Sequence, residues 1–422
     1  MQGKAQVIRG DARRLPLADD SVDLVISSPP YFALRSYQDG GEHYAGQMGS
    51  EATPAEFVDA LVEVTRECVR VLKPCGSLWI NLGDKYAGSA GDQGGKGRQA
   101  DIHGYQYRSG KSDAANLQSA RIEYGWGGVR PKSLMGIPWR YALRCIDDLG
   151  LILRAEVIWS KPNGLPESVT DRVRRSHEQW FHFTLQPRYY SAVDEIREAH
   201  IYPNDLRHLR GGRRSINPDG TDGGGNTSTC NPLGKLPGSV WTIPTEPLTV
   251  PDHLGVDHFA AFPTEWPRRI IQGWSPPGIC TACGEGRRPV VSAEPVPSPK
   301  HGANSTSIMG SRRSPGDIRG WDGLPRFNMA RELTGYACAC PEPTAPTRPA
   351  IILDPFGGTG TTALAALALG CHGITVDMSA DYSRLAAWRT TDQRQLAGAM
   401  RIPKPAVQVD GQASMFDFLE EA

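Results

Sequence analysis

The sequence has no apolar run approaching the ~20 residues needed to span a bilayer, and its Met1-Gln2-Gly3-Lys4 start lacks the apolar core of a secretory signal. These absences argue for a cytoplasmic protein. Cysteine is sparse: nine in 422 residues, an odd count and too thin a spread for a secreted disulfide framework, which leaves metal ligands or buried thiols. Excess charge is missing too, because 46 basic side chains balance 46 acidic ones. That balance excludes a globally basic nucleic-acid binder but leaves room for a local basic cleft. What the chain has in quantity is Gly (47) and Pro (34), together roughly a fifth of the residues against a usual one-eighth. They cluster, so collagen-like repeats and wholesale disorder are unexpected, and a globular chain with long loops follows.

Along the chain, Val22 to Ser27 is a β-branched apolar run that stops at Pro29-Pro30, as a buried strand entering a loop would. Thr53-Pro54-Ala55-Glu56 supplies a capping box with Pro at the first helical position, and Phe57, Leu61, Val64, Cys68 and Leu72 follow on one stripe. Lys73-Pro74 is expected to end that helix. Ser77 to Leu82 reads as a strand, Pro138 to Asp148 as a helix and Leu151 to Trp159 as another strand. After three irregular stretches (87–131, 200–236 and 284–337) the alternation resumes with Ile351 to Asp354, a helix from Thr361 to Leu369 and a strand from Gly373 that ends at Asp377. Such alternation predicts an α/β fold around a mostly parallel sheet, built from both chain ends.

Two motifs carry chemistry. Asp354-Pro355-Phe356-Gly357-Gly358-Thr359-Gly360-Thr361-Thr362 joins a strand to a helix, where glycines permit positive φ and backbone N–H groups approach a nucleotide-like ligand. Gly358-x-Gly360-x-x-Ala363 also fits a dinucleotide fingerprint, with Asp377 placed to take ribose hydroxyls. No Lys follows the glycines, which argues against a phosphate-gripping Walker loop. A purely structural glycine turn is the plainer alternative. The second motif, Ser28-Pro29-Pro30-Tyr31, follows a buried strand and exposes carbonyl oxygens and an aromatic ring. That surface suits the grip on an amino-bearing, flipped nucleobase, although a Pro-terminated strand would read the same way.

Together the motifs resemble the DNA amino-methyltransferases of the β class, in which the catalytic motif precedes the cofactor motif. The resemblance runs on through Gly10-Asp11, Leu72-Lys73-Pro74, Ser77 to Asp84, Gly136 to Arg140, Ile158 to Asn163 and Asp257 to Thr264. It implies an S-adenosylmethionine-dependent methyltransferase (Rossmann-like) sheet with irregular inserts. It further implies that Phe356, Gly357, Gly358 and Gly360 shape the methionine end of the cofactor pocket and that Asp354 meets the cofactor's amino group. Asp377 would hold the ribose, Asp11 the adenine amino group, and Phe262, Pro263 and Thr264 would close the pocket. Ser28 and the Pro29 carbonyl would accept hydrogen bonds from the target amino group while Tyr31 stacks on the base. A Ser at the head of the proline motif accompanies cytosine N4 methylation in this family more often than adenine N6 methylation, so N4-cytosine is the expected target and N6-adenine the alternative. Cys75 after Pro74 superficially matches a ring-carbon methylation nucleophile, but it lacks the following Gln and is read as structural.

Cys280-Thr281-Ala282-Cys283-Gly284 has the outline of half a zinc knuckle, and Cys338-Ala339-Cys340 offers a second pair, so a four-Cys structural zinc site is expected, with plain thiols as the alternative. Cys68, Cys145, Cys230 and Cys371 read as buried small hydrophobes. Lys161, Asn163, Arg172, Arg174 and Arg175, with Arg207, Arg210, Arg213 and Arg214 further on, are candidates for a phosphate-facing cleft or for solvated surface. The expected organisation is a catalytic part at 1–199 with a mobile loop at 87–131, and an insert at 200–236 suited to target recognition. A cofactor-pocket segment at 237–278, a zinc-binding insert at 279–348, a cofactor-binding part at 349–395 and a tail at 396–422 complete it. Double-stranded DNA is the expected partner, with a cognate restriction endonuclease as a second. The competing classes are a nicotinamide-dependent oxidoreductase, which leaves Ser28 to Tyr31 unexplained, and a non-catalytic zinc-containing DNA-binding protein, which leaves the catalytic motif idle.

Overall fold

The computed structural model describes residues 3–33, 38–39, 42–43, 46–87, 129–130, 132–164, 166–199, 233–256, 261–297, 327–342 and 344–405. Arg207, Arg210, Arg213, Arg214, Cys230 and Asp257 to Ala260 lie outside the described residues. The chain divides into two compact units, one of 1–191, 238–286 and 344–422 and the other of 192–237 and 287–343.

The first unit is built on an eight-stranded sheet. In chain order its strands are β1 (Ala5–Arg9), β2 (Val22–Ser27), β3 (Leu72–Leu82), β4 (Ile152–Ser160), β5 (His177–Thr184), β6 (Val240–Thr242), β7 (Ile351–Asp354) and β8 (His372–Asp377). The spatial order is β1-β8-β7-β2-β3-β5-β4-β6, with every pairing parallel except the two made by β5. Strands from both chain ends therefore sit side by side, as expected. Two corrections follow from the register. Gly10-Asp11, which the resemblance sets ahead of the first strand, read at Val22, itself ends a strand, because β1 pairs with β8. And β3 begins at Leu72, directly behind the helix: Val22 faces Leu72 while Leu24 faces Ser77, so Pro74 falls in an unpaired bulge where its missing N–H costs nothing.

Among the described residues six helices flank the sheet: α1 (Pro54–Val71), α2 (Ile137–Leu149), α3 (Glu265–Trp274), α4 (Thr361–Ala368), α5 (Ala380–Thr391) and α6 (Gln393–Met400). The predicted capping box opens α1: Thr53 Oγ1 accepts from Glu56 N–H at 3.2 Å and Glu56 accepts from Thr53 N–H at 3.0 Å. Phe57, Leu61, Val64 and Cys68 are then buried against the sheet. The carboxylate of Asp84, at the end of β3, caps α2 by accepting from Gly136 and Ile137 N–H. No helix among the described residues is long and apolar enough to cross a membrane. Cys68, Cys145 and Cys371 are buried as expected.

An aromatic core, invisible to periodicity, fills one side of the sheet. Trp266 stacks on Trp180 and Trp241 at 4.8 and 4.9 Å, and Trp79 packs on His182 and Trp274 at 4.5 Å each. His182 is neutral there, since burial drives its pKa down to about 3.

The second unit contains an antiparallel hairpin, Arg288–Pro297 with Phe327–Ala337. Its other segment carries a 3-10 turn, Val193–Ile196, whose Glu195 accepts from the Tyr336 hydroxyl.

Candidate active site

Parallel strands align their C-terminal ends along one edge of a sheet, and loops there converge on a crevice. Here the ends of β1, β2, β7 and β8 wall a single pocket. Asp11 stands on the β1 end, Ser28 and Pro30 on the β2 end, Pro355, Phe356 and Gly358 on the β7 turn, and Asp377 and Met378 on the β8 end. The two sequence motifs, 327 residues apart at Ser27 and Asp354, thus face one cavity and are joined beneath it by a hydrogen bond of 2.6 Å.

The glycine turn is fixed by sterics. A Cβ on Gly357 would lie 1.3 Å from Thr375 Oγ1, and one on Gly360, at φ 74°, would lie 2.9 Å from Ala386 Cβ. Gly358 adopts φ 47° and aims its N–H at the Asp377 carboxylate, 2.9 Å away; Ser379 N–H holds the other oxygen at 2.9 Å. Behind the turn, the guanidinium of Arg389 donates to the Thr359 carbonyl and hydroxyl and to Thr361 Oγ1. Burial lowers the Arg389 pKa to about 10.

Asp354 lies under the pocket rather than on its wall, 1% exposed, with its carboxylate taken by Ser27 and Thr362 hydroxyls and the Phe356 N–H. Burial raises its pKa to about 6; those hydrogen bonds oppose the shift and the Asp377 charge adds to it. Phe262, Pro263 and Thr264 are likewise absent from the described wall: Phe262 meets the Trp180 ring edge-on and Thr264 N–H donates to Glu246. Sequence reasoning missed Arg13 and Glu51. Arg13 grips both oxygens of Asp11 and holds its carboxyl below the usual range. Its signal was available, since an Asp-x-Arg at a strand end places both side chains in one turn. Glu51 accepts from Gly49 N–H and is pushed up by burial; it lies in a loop with no pattern to announce it.

At the proline motif, Ser28 Oγ donates to Asn81 Oδ1 at 3.1 Å, and the Tyr31 hydroxyl lies 2.7 Å from Asn81 Oδ1 and 2.7 Å from Glu178 Oε2. The Tyr31 ring rests on Gly83, where a Cβ would come within 2.6 Å of it.

The five described candidates for phosphate contact are all engaged within the protein. Lys161 pairs with Glu178 and lies 4.0 Å over the Trp159 ring. Asn163 exchanges hydrogen bonds with the Thr245 backbone. Arg172 pairs with Glu167 and stacks on Tyr86, Arg174 donates to the Gly164 carbonyl, and Arg175 lies 3.5 Å from Asp84. They brace the 161–176 loop at the catalytic edge.

Each cysteine pair has its own setting. Cys280, buried, and Cys283, exposed, flank a tight turn closed by Gly284 N–H on the Cys280 carbonyl at 2.9 Å, with Gly284 at φ 75°. Cys338 and Cys340 follow the hairpin, and Cys340 Sγ accepts from Glu342 N–H at 3.4 Å.

Acidic groups at the neighbouring β1 and β8 ends, with Phe356, Met48 and Val64 also on the wall, suit a ligand that carries both polar groups and an apolar surface. The chain is 36% identical over 277 residues to the type II methyltransferase M.XycI of Xanthomonas campestris pv. cyanopsidis, covering 64% of this chain and 73% of that one. It is 34% identical over 279 residues to M.Cfr9I of Citrobacter freundii, covering 65% and 74%. Among solved structures, the PvuII DNA methyltransferase (cytosine-N4-specific) aligns over 95% of this chain and 93% of that one at 14% identity, with a TM-score of 0.49. Residues 22–281 and 347–387 match the N6/N4 DNA methylase family, and the chain belongs to that family of DNA amino-methyltransferases.

Proposed function

We propose that this enzyme transfers a methyl group from S-adenosylmethionine to the exocyclic N4 of a cytosine flipped out of duplex DNA. The observation that carries the reading is the shared cavity: Ser28 and Pro30 stand on the same wall system as Phe356, Gly358, Asp11 and Asp377. The cofactor supplies an electrophilic methyl group on a sulfonium. Asp377, at a strand end with a fixed carboxylate, takes the ribose hydroxyls, and Asp11 accepts from the adenine amino group. Phe356 and the glycines 357, 358 and 360 receive the methionine end, with Asp354 holding the turn from below.

An exocyclic amino nitrogen is a poor nucleophile because its lone pair is delocalised into the ring. Ser28 Oγ and the Pro29 carbonyl accept its two N–H bonds and so turn the lone pair out of the ring plane. The Ser28 proton is already directed to Asn81, which leaves its oxygen lone pairs for the amino group. Tyr31 stacks on the base, and positioning with exclusion of water supplies the rate. Ser28 at the head of the proline motif, which in this family accompanies cytosine N4 methylation more often, supports cytosine over adenine. Digesting methylated duplex to nucleosides and identifying them by mass spectrometry tests this: N4-methylcytosine is expected, and N6-methyladenine alone overturns the base assignment.

Cys280 and Cys283, and Cys338 and Cys340, are two pairs with the spacing of structural zinc ligands, and we propose that together they hold one zinc ion. The type II relatives support a restriction-modification setting with a nuclease as partner.

A further inference from the structure

The residues expected to meet phosphate include one whose charge is spent elsewhere. Lys161 places its ammonium on Glu178 and above the Trp159 ring, with Lys161 and Glu178 side chains only 20% and 15% exposed. The other oxygen of Glu178 lies 2.7 Å from the Tyr31 hydroxyl. That hydroxyl also reaches Asn81 Oδ1, the atom that accepts from Ser28. Asn81 is itself fully buried and anchored by its Nδ2, which donates to the Gln179 carbonyl. The Tyr31 ring is thus bounded on one side by Gly83, which has no room for a side chain. At its far end the phenol is confined between two acceptors that strands β3 and β5 hold in place. A ring that stacks on a base needs its plane fixed before the base arrives, since a freely rotating ring loses rotamer entropy on contact.

We propose that Glu178, held by Lys161, is a positioning residue that holds the Tyr31 ring in place against Gly83 for the target base, so that Lys161 acts on the base through this chain rather than on a phosphate. The inference rests on the assignment of Tyr31 as the stacking residue. A carboxylate is suited to the task because hydrogen bonds to charged groups are the stronger ones, and Lys161 restrains its rotation.

The test is methyl incorporation from labelled S-adenosylmethionine into unmethylated genomic DNA by the full-length protein, with kcat and the cofactor KM measured separately. Glu178→Ala should lower kcat roughly tenfold with the cofactor KM little changed. Glu178→Gln, which keeps an acceptor for the phenol, should recover most of the loss. Tyr31→Phe removes the hydroxyl through which Glu178 acts, so adding Glu178→Ala to it should cost nothing further. Losses that multiply in the double variant, or wild-type kcat in Glu178→Ala, overturn the proposal, as does a cofactor KM that rises in place of a kcat loss. Should Glu178→Ala fail to fold, Lys161→Met carries the same cycle: its loss of kcat should vanish in the Tyr31→Phe background, and persistence there overturns the idea. Failure of the underlying reading looks different. A wild-type protein that transfers no methyl group, or Tyr31→Ala with full turnover, removes the role of Tyr31 itself.

Discussion

Replacing Asp377 tests the cofactor half of the site most directly. Its two carboxylate oxygens each accept a backbone N–H at 2.9 Å, from Gly358 in the glycine turn and from Ser379 at the start of α5. In the proposed function this carboxylate, on the pocket wall, takes the ribose hydroxyls. Asp377→Ala removes the ribose contact and loosens the turn that shapes the methionine end. A hydrogen bond to a charged group contributes about 1.5–3 kcal/mol, so losing one such contact weakens S-adenosylmethionine binding by roughly ten- to a hundredfold. Asp377→Asn should fare little better, because either orientation of the amide sets its NH2 against one of the two N–H donors. Duplex binding should persist in both variants, since the proline motif is untouched. Calorimetric titration with cofactor and gel-shift titration with duplex measure the two affinities separately. Unchanged cofactor affinity in Asp377→Ala, with the fold intact by thermal melting, would refute the ribose role.

Three further outcomes are expected. Tyr31→Ala should lower turnover far more than cofactor affinity, by a stacking contribution of about 1–3 kcal/mol; equal turnover in a steady-state methylation assay contradicts it. Protein purified without chelator should carry one zinc per chain, and chelation should unfold the region around Cys280, Cys283, Cys338 and Cys340, because metal binding and local folding are coupled; elemental analysis finding no zinc ends the assignment. Asp354 has its pKa raised in the fold from 3.8 to about 6 by burial, so its neutral form favours the folded state. That contribution, about 3 kcal/mol when complete, is present below pH 3.8 and is lost as pH rises through 6. Wild type should therefore gain stability relative to Asp354→Asn by about 1 kcal/mol between pH 7.5 and 5, and a pH-independent difference in unfolding midpoints would count against it.

What was legible in the sequence was what local chemistry dictates. The capping box at Thr53 and Glu56, the buried run Val22 to Ser27 and the glycine turn after Asp354 each signal themselves within ten residues, and each appears where expected. Long-range pairing was not legible. Strand β1 is too short and too exposed at Ala5 to Arg9 to show a pattern, and it becomes a strand because β8 offers it an edge. The antiparallel β5 breaks the α/β alternation and earns its place through the tryptophan stack, whose members lie on β3, β5, β6 and α3. The same limit applies to the site. Ser28 and Tyr31 stand in a local motif, whereas Asn81 and Glu178, 50 and 147 residues beyond Tyr31, meet its hydroxyl only through the fold. Charge along the chain is likewise not availability. Lys161, Arg172, Arg174 and Arg175 read as a basic cleft along the chain, yet each guanidinium or ammonium finds a carboxylate, carbonyl or ring within its own loop or the adjoining strand ends. A basic run close to several acids satisfies itself first, and only the fold tells which charges are then left to face a ligand.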